Sequence, residues 1–462
     1  MSNLVPAKAE RFLPNDFPSL NQLLKKEDKR GLFEHSAITI GYPTGFLPLD
    51  YRNGFKSNVY NENDEVVKTY NNIGIFGGTF NTIIGKTGTA KTTFAAQSAA
   101  NMSRYCMQRW GIPVEIYHID AEKATGYTRI KNITGMHIMD LKSLYHITRE
   151  VTYIEDLQDM MEEIALMKAA NASTFKINTG LLDEFGDPII YYIPTIIIAD
   201  SLPSFTIKSA KMKKKDGSSA AEEGSSKAMA AELEEIKDVG GRKDDMQANR
   251  IAKALSRFYK QMLPLVSKYN FIFIAINHIN KKIETGVMPT SPQMMYLKMD
   301  EAVPCGFAPL YYAHNIFKIV MDEKFIVEKG APFDGFRARI EFLKSRSNKA
   351  GRFCELVYNQ DLGFDNRYSL YEFLKKEKDL IGGRNPYQYI KGFEDIKFNS
   401  KNFAEEVANK PELYNALVSV SSVALEEILS DVKFTDTTPD MNDINTIISN
   451  LNASQEKENF DE

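Results

Sequence analysis

The chain predicts an α/β fold with a mainly parallel central sheet, and three observations carry that prediction. Short, nearly all-apolar, β-prone runs alternate with amphipathic stretches, as strands covered on both faces by helices require. One such run, with Phe80, Thr82, Ile83 and Ile84, passes into the glycine-rich turn Gly85-Lys86-Thr87-Gly88-Thr89-Ala90-Lys91-Thr92 and then into an alanine-rich helical run (Phe94, Ala95, Ala96, Ala99, Ala100). Two other runs close on acids, at Asp120 and Asp200, and in open α/β sheets the carboxyl ends of strands line the ligand crevice.

Taken in order, residues 1–40 form a polar arm in which Phe17, Leu20, Leu23 and Leu24 keep helical spacing before Pro43 and Gly45 break the chain. A helix that short is unstable alone, so the arm is expected to dock on the body or on a neighbouring subunit. The core is expected over 41–378, opening at Thr44-Gly45-Phe46-Leu47-Pro48-Leu49-Asp50 and carrying inserts at about 55–77 and 208–228. Its strand candidates are Thr82–Ile84, Val114–Ile119, Thr195–Ala199, Phe271–Ile276, Asn315–Val320, Ile340–Leu343 and Cys354–Tyr358. Ile251, Leu255, Phe258, Met262 and Leu265 recur every three to four residues and mark a helix packed on the sheet. A small lobe over 379–430 and an acidic, Asn-rich, disordered tail over 431–462 complete the organisation.

Composition narrows the chemistry. No run of about eighteen apolar residues exists to span a membrane, and the first ten residues lack the order of a signal peptide. Three dispersed cysteines and six histidines show no metal or redox spacing, so a reducing cytoplasm is the simplest setting. The net charge of −4 hides an asymmetry: the tail alone is −6, which leaves the rest at +2. Such a tail either solubilises or competes with DNA for a basic surface. Lys208, Lys211, Lys213, Lys214 and Lys215 precede Gly-Ser-Ser repeats, giving either a solvated loop or one that faces DNA.

Strand, glycine-rich turn and helix in that order aim backbone N–H groups and a helix N-terminus at an anion. Residues Gly85 to Thr93 would cradle the phosphates of ATP, with Lys91 reaching the β- and γ-phosphates and the Thr92 hydroxyl on Mg²⁺. Ala90 stands where the pattern has glycine and adds only a methyl. Asp200 ends an apolar strand and would order the Mg²⁺ water shell. Hydrolysis needs a carboxylate that activates water, and Glu122 is the candidate.

Ile119-Asp120-Ala121-Glu122 followed by Ala124 resembles the signature of RecA-type recombinases, whose equivalent glutamate is the hydrolytic base. The opening Thr44–Asp50 stretch is similar to the lead into that core, and Leu362-Gly363-Phe364-Asp365 with the helix to Lys378 to its end. Ile274-Ala275-Ile276-Asn277-His278 resembles the strand ending in the γ-phosphate sensor, and Lys344-Ser345-Arg346 the basic pair that caps ATP on the adjacent protomer. His278, where the family more often has Gln, and the Lys344–Arg346 segment together resemble its phage-type members. The likeness covers roughly 40–430 and implies a RecA-like P-loop core. It further implies a filament on single-stranded DNA, pairing with homologous duplex, and mediator and single-strand-binding partners.

It also implies two DNA loops: Asp244-Asp245-Met246-Gln247 before the long helix, and Ile279 to Val303. Met246, Ile283 and Met288 would separate bases or else fill core, Arg250 and Arg257 would contact phosphates, and Lys281 and Lys282 add charge. In Pro304-Cys305-Gly306-Phe307-Ala308 the family's Gly-Gly-Asn is reduced to one glycine. Tyr127 would stack on adenine or serve packing. Two alternatives share parts of this pattern. A hexameric helicase of the DnaB class has the same core. A ParA-like positioning ATPase has a lysine at the place of Lys86 but a glycine where Thr87 stands.

Overall fold

The computed structural model describes residues 40–208, 242–281, 293–329 and 331–430. Among these, nine strands form one central sheet: β1 Thr79–Gly85, β2 Ile116–Asp120, β3 Tyr145–Thr148, β4 Thr195–Asp200, β5 Phe271–His278, β6 Asn315–Phe325, β7 Gly335–Ser345, β8 Phe353–Asn359 and β9 Gly363–Asp365. Their order across the sheet is β9-β8-β7-β6-β1-β5-β4-β2-β3. The six strands from β6 to β3 run parallel, and β7, β8 and β9 extend the sheet as an antiparallel meander. The sheet is therefore mixed and mostly parallel, and each expected strand has its counterpart in it, with β2 beginning at Ile116 rather than Val114.

The all-apolar runs owe their composition to burial on two sides. Ile196, Ile198, Ile274 and Ile276 pack with Phe94, Ala95 and Ala99 of the helix Lys91–Trp110. The alternate residues Ile197, Ala199, Phe273 and Ala275 pack against Leu255, Phe258 and Met262 of the helix Arg242–Lys268, and against Leu157 and Met161 of Ile154–Ala170. Strand period two thus sends each half of the same run into a different core. A third cluster joins Tyr51, Tyr371 and Leu374 to Phe398, Phe403 and Leu417, so the small sheet and helices of 381–430 pack directly on the end of the core.

Two expectations are corrected, one element is added, and several calls lie outside the described residues. Asp244–Gln247 do not precede the long helix but lie inside it, consistent with the good helix formers Arg242, Lys243, Met246 and Gln247. The insert expected to reach residue 77 ends at Asn72. It is a hairpin of Phe55–Tyr60 and Val66–Asn72, whereas Ile75 and Phe76 are buried and pair with Gly41–Tyr42. A second hairpin, Lys176–Leu182 with Pro188–Tyr192, was not expected; Tyr60 N donates to Glu184 O and joins the two. The expected arm helix, the lysine run beyond Lys208, Lys282, Ile283, Met288 and the tail lie outside the described residues. No helix among the described residues is long and apolar enough to cross a membrane.

One buried cation makes the fold sensitive to pH. Lys168 donates to Ile193 O at 2.7 Å and Tyr269 O at 2.8 Å, with its ammonium 5.0 Å from the centre of the Phe271 ring. Burial pushes its pKa down to about 7, and Glu115 opposes the shift. The unfolded chain keeps this proton up to the ordinary 10.5 and the folded chain only to about 7, so stability rises with pH across that interval. In urea unfolding at pH 7 and again near pH 9.5, the wild type should gain stability relative to Lys168→Met. A gap that does not change with pH would count against this.

Candidate functional site

Parallel register brings four strand ends to one edge. Gly85 of β1 pairs with His278 of β5, Ala275 of β5 with Ala199 of β4, and Asp200 of β4 with Asp120 of β2. The segments that leave these ends supply the side chains singled out in the sequence.

The turn after β1 is tightly drawn. A Cβ on Gly85 would lie 2.7 Å from Thr89 Oγ1 and 2.8 Å from Ile319 O, so only glycine fits. Thr89 Oγ1 donates to Lys86 O at 2.9 Å. Lys91 Nζ folds back to donate to Gly85 O at 3.0 Å and Lys86 O at 2.8 Å. Burial lowers the Lys91 pKa, while Asp200 and Glu122 pull it the other way. Ala90 precedes the helix Lys91–Trp110 with no side-chain cap, which leaves the first-turn N–H groups without intrahelical acceptors. Lys86, Thr87 and Gly88 are exposed, and Thr93 is buried behind them.

Two pairs stand beside the turn. Thr92 Oγ1 donates to Asp200 Oδ2 at 2.6 Å, so the two residues expected at the metal are in contact. Glu122 Oε1 accepts from Ser201 Oγ at 2.5 Å and lies 3.2 Å from His278 Nε2, so the expected base and sensor are in contact too. The two acids ending β2 have separate tasks. Asp120 is buried and accepts from Ala124 N, Thr125 N and Arg149 Nε, organising the following loop, whereas Glu122 keeps a partly exposed carboxylate. Among the described residues, no cluster of three or more His, Cys, Asp or Glu side chains could hold a metal by itself.

Lys344 and Arg346 do not join this group. Lys344 pairs with Ile316, which pairs with Thr82, and Arg346 N bonds His314 O while His314 N bonds Phe80 O. Arg346 is thus level with Phe80, five residues or about 16 Å of strand back from Gly85. Lys344 Nζ donates to Leu310 O and Tyr311 O, and Arg346 Nη2 to Tyr311 O. Tyr127 starts the helix Tyr127–Thr134 and is half exposed, and its hydroxyl accepts from Ile147 N at 3.2 Å, tying that helix to β3.

Arg250 and Arg257 are exposed on one face of the long helix. Met246 lies within its first turns. Lys281 is exposed in a short strand paired with Glu301–Ala302. Lys208, counted with the lysine run, is ion-paired with Asp156. Cys305 takes φ 72 and Gly306 φ 75, so the cysteine occupies a glycine-like conformation at the end of the expected second loop.

Sequence reasoning passed over Ser201 and His118. Both had a legible signal: Ser201 follows the strand-ending Asp200, and His118 shares with Asp120 one face of a period-two run. No family model matches the chain, and no curated protein matches it.

Ala90 carries a cost that the sequence pattern only hinted at. Its φ of 59 and ψ of 31 are left-handed, which costs a non-glycine residue about 1–2 kcal/mol, partly offset in glycine by its larger folding entropy. Ala90→Gly should therefore raise stability by about 0.5–1 kcal/mol, read as a higher thermal midpoint. An unchanged or lower midpoint would contradict this.

Proposed function

We propose that the chain is an ATP-hydrolysing, Mg²⁺-dependent recombinase of the RecA type, forming a filament on single-stranded DNA and exchanging strands with homologous duplex. The observation that carries this is the meeting at one sheet edge of an uncapped helix N-terminus with Lys91, the Thr92–Asp200 pair and the Glu122–His278 pair. Charge, proton acceptor and donor gathered this way would suit phosphoryl transfer, which works by positioning and electrostatics.

The roles follow from the contacts. The backbone N–H groups of the turn would cradle phosphates, and Lys91 would exchange the Gly85 and Lys86 carbonyls for β- and γ-phosphate oxygens. Thr92 would hold Mg²⁺ directly and Asp200 through its water shell, and the ion would supply charge neutralisation on the phosphate oxygens. Glu122, steadied by Ser201 and His278, would orient the attacking water and take its proton.

Contacts also favour coupling between nucleotide and DNA. Ile279, the first residue of the expected second DNA loop, donates its N–H to Gly85 O at 3.2 Å, the carbonyl that Lys91 also holds. At the other end, Asn277 Nδ2 donates to Pro304 O, and Glu301 forms a buried ion pair with Lys318 at 2.8 Å. A loop anchored at both ends beside the turn would respond to the γ-phosphate. The distance of Lys344 and Arg346 from their own turn favours action on a neighbour's nucleotide, as arginine fingers act. Mediator and single-strand-binding proteins belong to this reading as partners.

Measuring ATP hydrolysis with and without single-stranded DNA, together with strand exchange and electron microscopy, tests the proposal. Open helical filaments with strand exchange are expected. Closed rings that unwind duplex would instead indicate a helicase. Glu122→Gln should bind nucleotide and assemble, yet turn over about 10²–10⁴-fold more slowly. Normal hydrolysis by this variant would remove Glu122 as the base.

The trans arrangement has its own test. Lys344→Ala combined with Arg346→Ala should bind ATP as a monomer but lose DNA-stimulated hydrolysis. Mixing it with Lys91→Ala should restore part of the activity, because some interfaces then hold one intact turn and one intact cap. A double variant that binds no ATP and gains nothing on mixing would put the pair in cis.

A further inference from the structure

His118 is fully buried, and its Nε2 has no hydrogen-bond partner. On its sheet face it neighbours Ile116, Ile196 and Ile198, with Asp120 and Asp200 at the next positions toward the strand ends. Leaving a buried imidazole nitrogen unpaired costs its full desolvation, so packing alone gives no reason for a histidine here. Its surroundings give one. Nδ1 lies 2.9 Å from the hydroxyl of Tyr145, itself fully buried, and Nε2 lies 3.5 Å from Asp200 Oδ2. The same Oδ2 accepts the Thr92 hydroxyl.

The chemistry of the chain fixes a direction. A carboxylate only accepts, so the arrangement that serves every group puts the imidazole proton on Nε2, facing Asp200, and has the Tyr145 hydroxyl donate to Nδ1. At 3.5 Å this is an attraction between the N–H dipole and the carboxylate charge rather than a full hydrogen bond, and the low local dielectric strengthens it. Tyr145, His118, Asp200 and Thr92 then form one line from β3 through β2 and β4 to the helix N-terminus.

We infer that His118, oriented by Tyr145, is a positioning residue that holds Asp200 in place and so sets the affinity for Mg²⁺–nucleotide without touching the nucleotide. This rests on the function proposed above. It assigns to the pair the part that outer-shell partners play in metal sites, where their loss typically costs 10–100-fold in metal affinity.

The test uses the full chain at one fixed pH, titrating Mg²⁺ while following binding of a fluorescent ATP analogue. His118→Phe should raise the Mg²⁺ midpoint by about 10-fold or more. Tyr145→Phe, which removes a single oxygen, should raise it by less, and His118→Gln, whose amide can still donate, should recover part of the loss. Turnover at saturating Mg²⁺ should stay within about two-fold, since the interaction bears on binding and not on the transition state.

A second readout is independent of nucleotide. In protein with ¹⁵N-labelled histidine, His118 should carry its proton on Nε2, and Tyr145→Phe should disturb that state. If His118→Phe does not fold, Tyr145→Phe decides the same titration. An unchanged midpoint in a folded variant, or a wild-type proton on Nδ1, overturns the positioning role and leaves the proposed function standing. A wild type that binds no nucleotide in a Mg²⁺-dependent way sinks the proposed function and this role together.

Discussion

The parallel pairing of β1, β5, β4 and β2 is the constraint on which the rest of the structure depends. Because Gly85 is level with His278 and Asp200 with Asp120, the polar segments beyond these strands emerge at one height. A one-residue slip in β4 would turn Asp200 to the opposite face and part it from Thr92. That register is held by apolar burial on both sides, four isoleucines of one face against one helix and Ile197 with the phenylalanines and alanines of the other against two more. Packing therefore sets the position of the polar chemistry, and the polar contacts refine it.

The same arrangement explains which parts of the molecule could be read from sequence. Two-sided burial leaves a plain mark, four to six apolar residues in a row, so Thr195–Ala199 and Phe271–Ile276 were legible as central strands. The turn was legible because close approach at Gly85 restricts residue choice there. The hairpin Lys176–Leu182 with Pro188–Tyr192 was not, since its half-exposed strands mix polar and apolar residues without clean alternation. The start of the long helix was misjudged because Asp244 and Asp245 look like a loop. Residues of helical propensity around them carry the helix through.

Contact geometry supplies a structural reason for preferring Glu122 to Asp120, a choice the sequence made on chemistry and resemblance. Sequence alone offers two acids at the end of β2. The structure spends Asp120 on two backbone N–H groups and Arg149, and leaves Glu122 to a serine and a histidine. Residue type and spacing do not encode such a division, because it depends on the loop 121–125 curling back over its own strand. Ala90 is similar: spacing showed a methyl in place of a hydrogen, while only the backbone angles showed that this methyl sits in a left-handed turn.

The end of the sheet away from the turn presents the opposite electrostatic situation. Lys344 and Arg346 both donate to the carbonyl of Tyr311, and among the described residues neither has a carboxylate partner. Burial, with Arg346 adding to it, pushes the Lys344 pKa down to about 8. Burial together with both cations pushes His314 to about 4. Lys344, held beside Arg346 at the cost of lowered basicity, is stabilised by an incoming anion, which would raise its pKa again. Under the proposed function that anion is the triphosphate on the next protomer. On that reading one subunit would supply a turn and a base and its neighbour the balancing charge, so that electrostatics across the interface would link assembly to hydrolysis, beside the coupling within each chain.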